Sequence, residues 1–273
     1  MTMSLPEVKL RQGIHVMHLF YKLVPSLWAQ RAAASSAEAR QKLEALCAAN
    51  GAACQPRITS YAILGGKAQM GFILYSAEAG RLAQMHRDLE ACFPPGALET
   101  VYSYLSITEL SEYATTEEDY KNMLVRGEKL EPGTEAYEKR WSEMMQRKRE
   151  YEHYRLYPEL PDWPVMCFYP MNKKRQLTDN WFSLDFETRK KLMGGHGRTG
   201  RKYAGRVTQL ITSSTGLDDW EWGVTLVAQQ MDDLRDIVYE MRFDEVSARY
   251  GEFGSFYLGL RQSPADLWAH LHL

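Results

Sequence analysis

His15–Tyr21 reads HVMHLFY, and a similar segment, VMCFY, stands at Val165–Tyr169. Each is an apolar, aromatic-rich run of strand length. Each is followed by a helical stretch, the first over about Ala32–Ala49 and the second opening at Asp185, a good N-cap residue, and running towards Arg201. Two strand candidates come next in each half. SYAIL (Ser60–Leu64) and MGFILY (Met70–Tyr75) flank Gly65 and Gly66, while RVTQLIT (Arg206–Thr212) and WEWGVTLVA (Trp220–Ala228) flank Gly216 and two aspartates. An amphipathic helix then follows in each half. Leu82, Met85 and Leu89 recur at helical spacing in one, and Met231, Leu234, Val238 and Met241 in the other. Each half closes on a further strand, YSYLSITEL (Tyr102–Leu110) and SFYLGL (Ser255–Leu260).

The order β-α-β-β-α-β, met twice, predicts an α+β fold of two ferredoxin-like repeats. Each sheet needs cover on the face opposite its helices, so the expectation is two repeats packed sheet to sheet with helices outside. The expected division is residues 1–113, 114–161 and 162–273: a first repeat, a charged helical linker and a second repeat. In the linker, Tyr137–Tyr154 interleaves Glu with Lys and Arg, and Pro132, Gly133, Pro158 and Pro161 break the chain around it. That pattern reads as a solvated helix.

Composition narrows the class. The chain has 273 residues, 45% hydrophobic and 25% charged, which is ordinary globular usage and excludes a disordered chain. No apolar run reaches the ~18 residues of a membrane span. The opening MTMSLPEVKLRQG lacks the basic-then-apolar pattern of a secretory signal. A net charge of −2 argues against a nucleic-acid surface but leaves room for a local basic pocket. Cys47, Cys54, Cys92 and Cys167 show no CxxC spacing, so they read as reduced thiols rather than a zinc site.

Three places carry chemistry. If the strand continues past Tyr169, then Tyr169, Met171 and Lys173 alternate onto one face, a phenol, a thioether and an ammonium on one wall. The competing reading is a strand running into a surface loop. Val207, Gln209 and Ile211 share a face, which sets an amide between two aliphatics that either finds backbone or water or faces a ligand. His196 stands among Gly194, Gly195, Gly197 and Gly200. Glycines cost a helix about 1 kcal/mol each, so their crowding suggests close approach of backbone to something bulky. A neutral imidazole is a usual axial ligand for haem iron, although a lone His is weak evidence. His15 and His18 read as structural, His270 and His272 as exposed. Walker A, G-x-S-x-G, GxGxxG and H-E-x-x-H motifs are absent.

HYRLYPELP (His153–Pro161), YPMNKKR (Tyr169–Arg175), NWF (Asn180–Phe182), HGRTGRKYAG (His196–Gly205) and VYEMRFDEVSARYGEFGSFYLG (Val238–Gly259) occur in that order. With HLFY and YSYLSITELSEY in the first half, this set resembles the coproheme decarboxylase (HemQ-type) branch of the chlorite dismutase-like superfamily. The resemblance implies a dimeric α+β barrel assembled as a homopentamer in the cytoplasm. It implies hydrogen-peroxide-dependent oxidative decarboxylation of two propionates of iron coproporphyrin III (coproheme). The product would be haem b, in the last step of coproporphyrin-dependent haem biosynthesis. Transient contact with the coproporphyrin ferrochelatase belongs to the same picture. It also implies roles. His196 would ligate iron, with Glu245 as partner of its ring. Tyr169 would be catalytic, Arg155, Lys173 and Ser247 would hold propionates, Pro170, Met171 and Asn172 would flank the porphyrin, and Gln209 would lie on its distal side. A neutral Gln209 where chlorite dismutases carry arginine disfavours chlorite decomposition. The 112–154 stretch is longer and more charged than the resemblance leads one to expect. The rival readings are a general haem peroxidase and a non-enzymatic haem-binding or trafficking protein.

Overall fold

The structure, a computed structural model, describes residues 6–28 and 33–273. Residues 1–5 and Ala32, the expected start of the first long helix, lie outside them. The first repeat runs β1 (His15–Leu23), a short α1 (Pro25–Trp28), α2 (Ala33–Ala49), β2 (Arg57–Leu64), β3 (Met70–Ser76), α3 (Ala79–Ala91) and β4 (Leu98–Thr108). The second runs β5 (Val165–Lys173), α6 (Phe186–Arg201), β6 (Val207–Ser213), β7 (Trp222–Ala228), α7 (Met231–Met241), β8 (Gly251–Phe253) and β9 (Tyr257–Arg261). Between them lie α4 (Glu117–Asn122) and α5 (Glu135–Leu156), and α8 (Pro264–His270) ends the chain. Strand β5 does continue through Lys173. Asp185 does cap α6, its carboxylate accepting from the Thr188 backbone N–H at 2.9 Å.

Each repeat shows the ferredoxin-like strand order, β4-β1-β3-β2 in the first and β9-β5-β7-β6 in the second. The expectation of two sheets packed face to face as a dimeric α+β barrel is corrected. The repeats meet edge to edge, through β4–β6 and β2–β9, in one nine-stranded sheet within a single chain. The physical reason is that each repeat ends in strands with unpaired N–H and C=O groups, and pairing the two sets of edges satisfies both.

One apolar cluster joins the repeats, with Phe20, Tyr61 and Ile73 against Met166, Phe168, Leu210 and Tyr257. His18 is fully buried there, stacked on Phe168 at 4.1 Å with Nε2 2.8 Å from the Thr225 hydroxyl, so its structural reading holds. The opposite face carries one cluster per repeat, Leu43, Leu82, Met85 and Leu89 in the first and Val224, Leu226, Leu234 and Ile237 in the second. In α7 the buried residues are Leu234 and Ile237 rather than Met231, which is exposed because it opens the helix. The stretch between the repeats is more than a solvated helix. Tyr137, Met144 and Met145 of α5 pack on Leu124 in a small core of their own.

Candidate functional site

The second repeat positions the site. Alternation along β5 puts Tyr169, Met171 and Lys173 on the helix-covered face, and β6 adds Val207, Gln209 and Ile211 to it. The register sets Tyr169 opposite Val224 of β7 and Val224 opposite Ile211, so phenol and isoleucine stand two strands apart on one row. Cys167, Leu226 and Gln209 form the next row. Pro170 and Asn172 fall on the other face. Pro170 lines a cavity with Tyr102 and Tyr257, and the Asn172 side-chain oxygen accepts from the Glu221 backbone N–H at 2.8 Å.

Helix α6 covers this face without closing on it. None of its residues is buried, and it packs mainly on α7 and the turn 246–250. Gly200 is its point of approach, where an added Cβ would sit 3.2 Å from Gln209 Nε2 and 3.3 Å from Met241 Cε. At Gly194 an added Cβ would meet nothing within 4 Å, so packing within the chain does not demand a glycine there. His196 is half-buried and points Nδ1 at Asp244, 3.0 Å away. Asp244 also accepts from the backbone N–H of Ser247 at 3.0 Å and from its hydroxyl at 3.2 Å. Burial works against the Asp244 carboxylate, but the bonds from His196 and Ser247 outweigh it and hold its pKa below the usual value. The expected partner Glu245 turns away to Arg249 at 3.0 Å. Sequence reasoning missed Asp244, although the Asp-x-x-Ser spacing of a side-chain-capped turn was there to be read.

Lys173 is buried with its ammonium 4.8 Å from the centre of the Trp181 ring. Burial pushes its pKa down to about 8, and the charge of Asp244 partly offsets the shift. Burial also raises the Tyr169 phenol above its ordinary value, so it is neutral at pH 7. Its ring is stacked on Phe256 at 4.4 Å. From the end of α5, Arg155 reaches the carbonyls of Glu109 at 3.3 Å and Ile211 at 3.5 Å, leaving Nε buried and unbonded.

Among the described residues, five polar groups of this region have no hydrogen-bond partner: Tyr169 Oη, Lys173 Nζ, the Gln209 side-chain amide, His196 Nε2 and Arg155 Nε. Of the five, Arg155 Nε is the one shut off from solvent, and a buried donor left without a partner is costly in a finished interior. Their chemistry fits an iron porphyrin: an imidazole nitrogen free for the metal, apolar β5 and β6 side chains for the ring, and two cations for carboxylate tails. The one cysteine on this face, Cys167, gives no rival chemistry, since it is buried with its thiol pushed up to about 12. Among the described residues no helix is long and apolar enough to cross a membrane.

An α+β sheet with an oriented histidine and two cations about its helix-covered face is an arrangement that suits a haem-type ligand. Residues 32–262 match the chlorite dismutase family model, and the chain belongs to that family. A Halobacterium salinarum protein named for heme binding is 41% identical over 211 residues, 77% of this chain. The match covers 39% of that relative, so this chain spans well under half of its length. A solved structure described as a novel heme-binding protein from Thermus thermophilus is 35% identical, with 98% of each chain covered and a TM-score of 0.78. Chlorite dismutase from Candidatus Nitrospira defluvii, solved in complex with imidazole, shares the fold at 16% identity, covering 97% of each chain, with a TM-score of 0.70.

Proposed function

We propose that the protein is a coproheme decarboxylase that uses hydrogen peroxide to convert two propionates of iron coproporphyrin III to vinyl groups, giving haem b. The observation that carries the reading is the set of five polar groups without a hydrogen-bond partner on and around the sheet face that α6 covers. The iron porphyrin, as substrate and redox centre, supplies a two-electron oxidation when peroxide is present. For each tail, the carboxylate leaves as carbon dioxide and the β-carbon loses a hydrogen. The two electrons released reduce one peroxide to two waters, with net uptake of one proton.

The chain's own residues bind and orient. His196 offers Nε2 to the metal because Asp244 fixes its Nδ1, and a hydrogen-bonded carboxylate makes the imidazole a stronger ligand. Lys173 and Arg155 take carboxylate tails, Lys173 as a point charge and Arg155 through Nε. Ser247 stands beside Asp244, within the same cluster. Tyr169 holds a neutral O–H with no competing acceptor; once that hydrogen has been given up to the oxidised centre, the phenoxyl oxygen would take the hydrogen atom that the β-carbon of a tail loses. Gln209 presents a neutral amide beneath Gly200 of α6 and would hold an anionic oxidant less firmly than a cation does. The parts played by Met171, Pro170 and Asn172 are the wall of β5 and its support from the far face. The division 1–113, 114–161 and 162–273, with the porphyrin in the last part, belongs to this reading. A homopentamer, a cytoplasmic setting and hand-over from the coproporphyrin ferrochelatase rest on the sequence resemblance alone.

The test is mass spectrometry of the protein mixed with ferric coproporphyrin III and peroxide. Two successive losses of carbon dioxide with two hydrogens are expected. Peroxide consumption with an unaltered porphyrin would indicate a general peroxidase, and tight binding with neither would indicate a carrier.

A further inference from the structure

Away from the porphyrin face, three donor atoms of the first repeat form a closed triangle. Tyr21 Oη lies 3.0 Å from His86 Nε2 and 3.3 Å from Glu90 Oε1, and His86 Nε2 lies 3.2 Å from the same oxygen. The sequence builds this directly. His86 and Glu90 are four residues apart on α3 and so share a face, while Leu82, Met85 and Leu89 anchor that helix to the core. Tyr21 reaches the pair from β1.

As a hydrogen-bond network the triangle is over-subscribed. The phenol brings one proton and Nε2 of a neutral imidazole at most one, so three contacts share at most two protons. A single cation at the centre satisfies all three atoms together. Metal bonds of about 2.0–2.2 Å in a tetrahedral arrangement hold neighbouring donors ~3.3 Å apart, which the observed edges match. Among the described residues no three His, Cys, Asp or Glu side chains gather suitably for a metal; here the third donor is a phenol.

We propose that Tyr21, His86 and Glu90 are three protein ligands of a site for a divalent transition cation of the zinc or copper class. Imidazole, carboxylate and phenolate form a nitrogen-oxygen set suited to those ions. The His86 and Glu90 side chains are 29% and 45% exposed, which leaves an entry path and a fourth position for water. Binding releases the phenolic proton to solvent.

The test uses the porphyrin-free chain with His153→Gln, His196→Gln, His270→Gln and His272→Gln, which removes the other exposed or half-buried imidazoles. Calorimetric titration with zinc chloride is expected to show one site per chain. His86→Ala and Glu90→Gln should each weaken it by about tenfold or more. With copper sulfate, a visible phenolate-to-copper charge-transfer band is expected, and Tyr21→Phe should abolish it while circular dichroism shows a folded chain. Absence of zinc binding, affinity that both ligand variants leave unchanged, or a copper band that survives Tyr21→Phe overturns the proposal.

Discussion

Lys173 offers a quantitative handle on the porphyrin reading. Its ammonium is buried against Trp181, and its pKa falls to about 8. At that value about nine-tenths of the side chains are charged at pH 7 and about one-tenth at pH 9. A propionate placed beside it favours the charged form and raises the pKa again. Binding above pH 8 therefore takes up a proton, and the dissociation constant grows by about tenfold between pH 7 and pH 9. The assay is fluorescence titration with metal-free coproporphyrin III, whose carboxylates stay ionised over that range and which brings no iron-bound water to titrate. Lys173→Gln should bind more weakly at pH 7, by the ~1.5–3 kcal/mol of a charge-assisted hydrogen bond, and should lose the pH slope. A dissociation constant that is flat from pH 7 to pH 9 in the folded parent, or a slope that survives in Lys173→Gln, refutes the assignment.

Tyr169→Phe should abolish propionate loss by mass spectrometry and leave porphyrin binding nearly intact; conversion at the parent rate would remove the phenol from the mechanism. Asp244→Asn should weaken holding of the iron porphyrin by about 10–100-fold and raise the iron midpoint potential, because the imidazole loses its anionic acceptor; spectroelectrochemistry reads both. His18 gives a stability test independent of any ligand. Burial lowers its pKa from 6.5 to about 3, so below pH 6.5 the unfolded chain binds a proton that the folded chain does not. Stability present at pH 7 is lost as pH falls from 6.5 towards 3, by about 3 kcal/mol at pH 4. In urea denaturation the stability difference between parent and His18→Gln should shrink by that amount between pH 7 and pH 4, and a constant difference would show that His18 does not titrate as described.

Period and punctuation made the element order legible, because β5 and β7 are continuous apolar runs of strand length between turn signals and α3 keeps its Leu82–Met85–Leu89 stripe. How the repeats join was not legible. Edge pairing is a matter of backbone groups that every sequence carries, and β2–β9 links residues nearly 200 positions apart in the chain. The three-residue β8 was missed because pairing with β5 holds it, not any periodicity of its own. Local motifs reached His196, Tyr169 and Gln209, yet the choice between Asp244 and Glu245 turned on which of two adjacent carboxylates faces inward. The tight turn 246–250 sends Glu245 out to Arg249 and leaves Asp244 on the imidazole. The small core at Leu124 and Tyr137 was likewise hidden, since the charges of α5 dominate its composition and only a few of its residues are buried.

The duplicated fold raises the question of why one repeat would take a porphyrin and the other not. In the first repeat the helix-covered face is filled: α2 contributes Leu43, α3 contributes Met85 and Leu89, and the chain's last helix, α8, adds Leu267 and Trp268. Trp268 packs edge-on against Trp28 at 5.3 Å and lies 5.5 Å from Phe93, leaving that face closed by aromatic bulk. Among the described residues no helix equivalent to α8 covers the face of the second repeat, and α6 carries glycine at 194, 195, 197 and 200 where packing residues would otherwise stand. A helix with four glycines gives up propensity, about 1 kcal/mol for each relative to alanine, and here recovers little of it through burial. Asp185 at its start and the bonds of Arg189 to Tyr113 and Lys190 to Asp119 hold it from the side instead. The same ferredoxin-like frame thus yields a packed layer where side chains are large and a loosely covered face where the covering helix carries glycines.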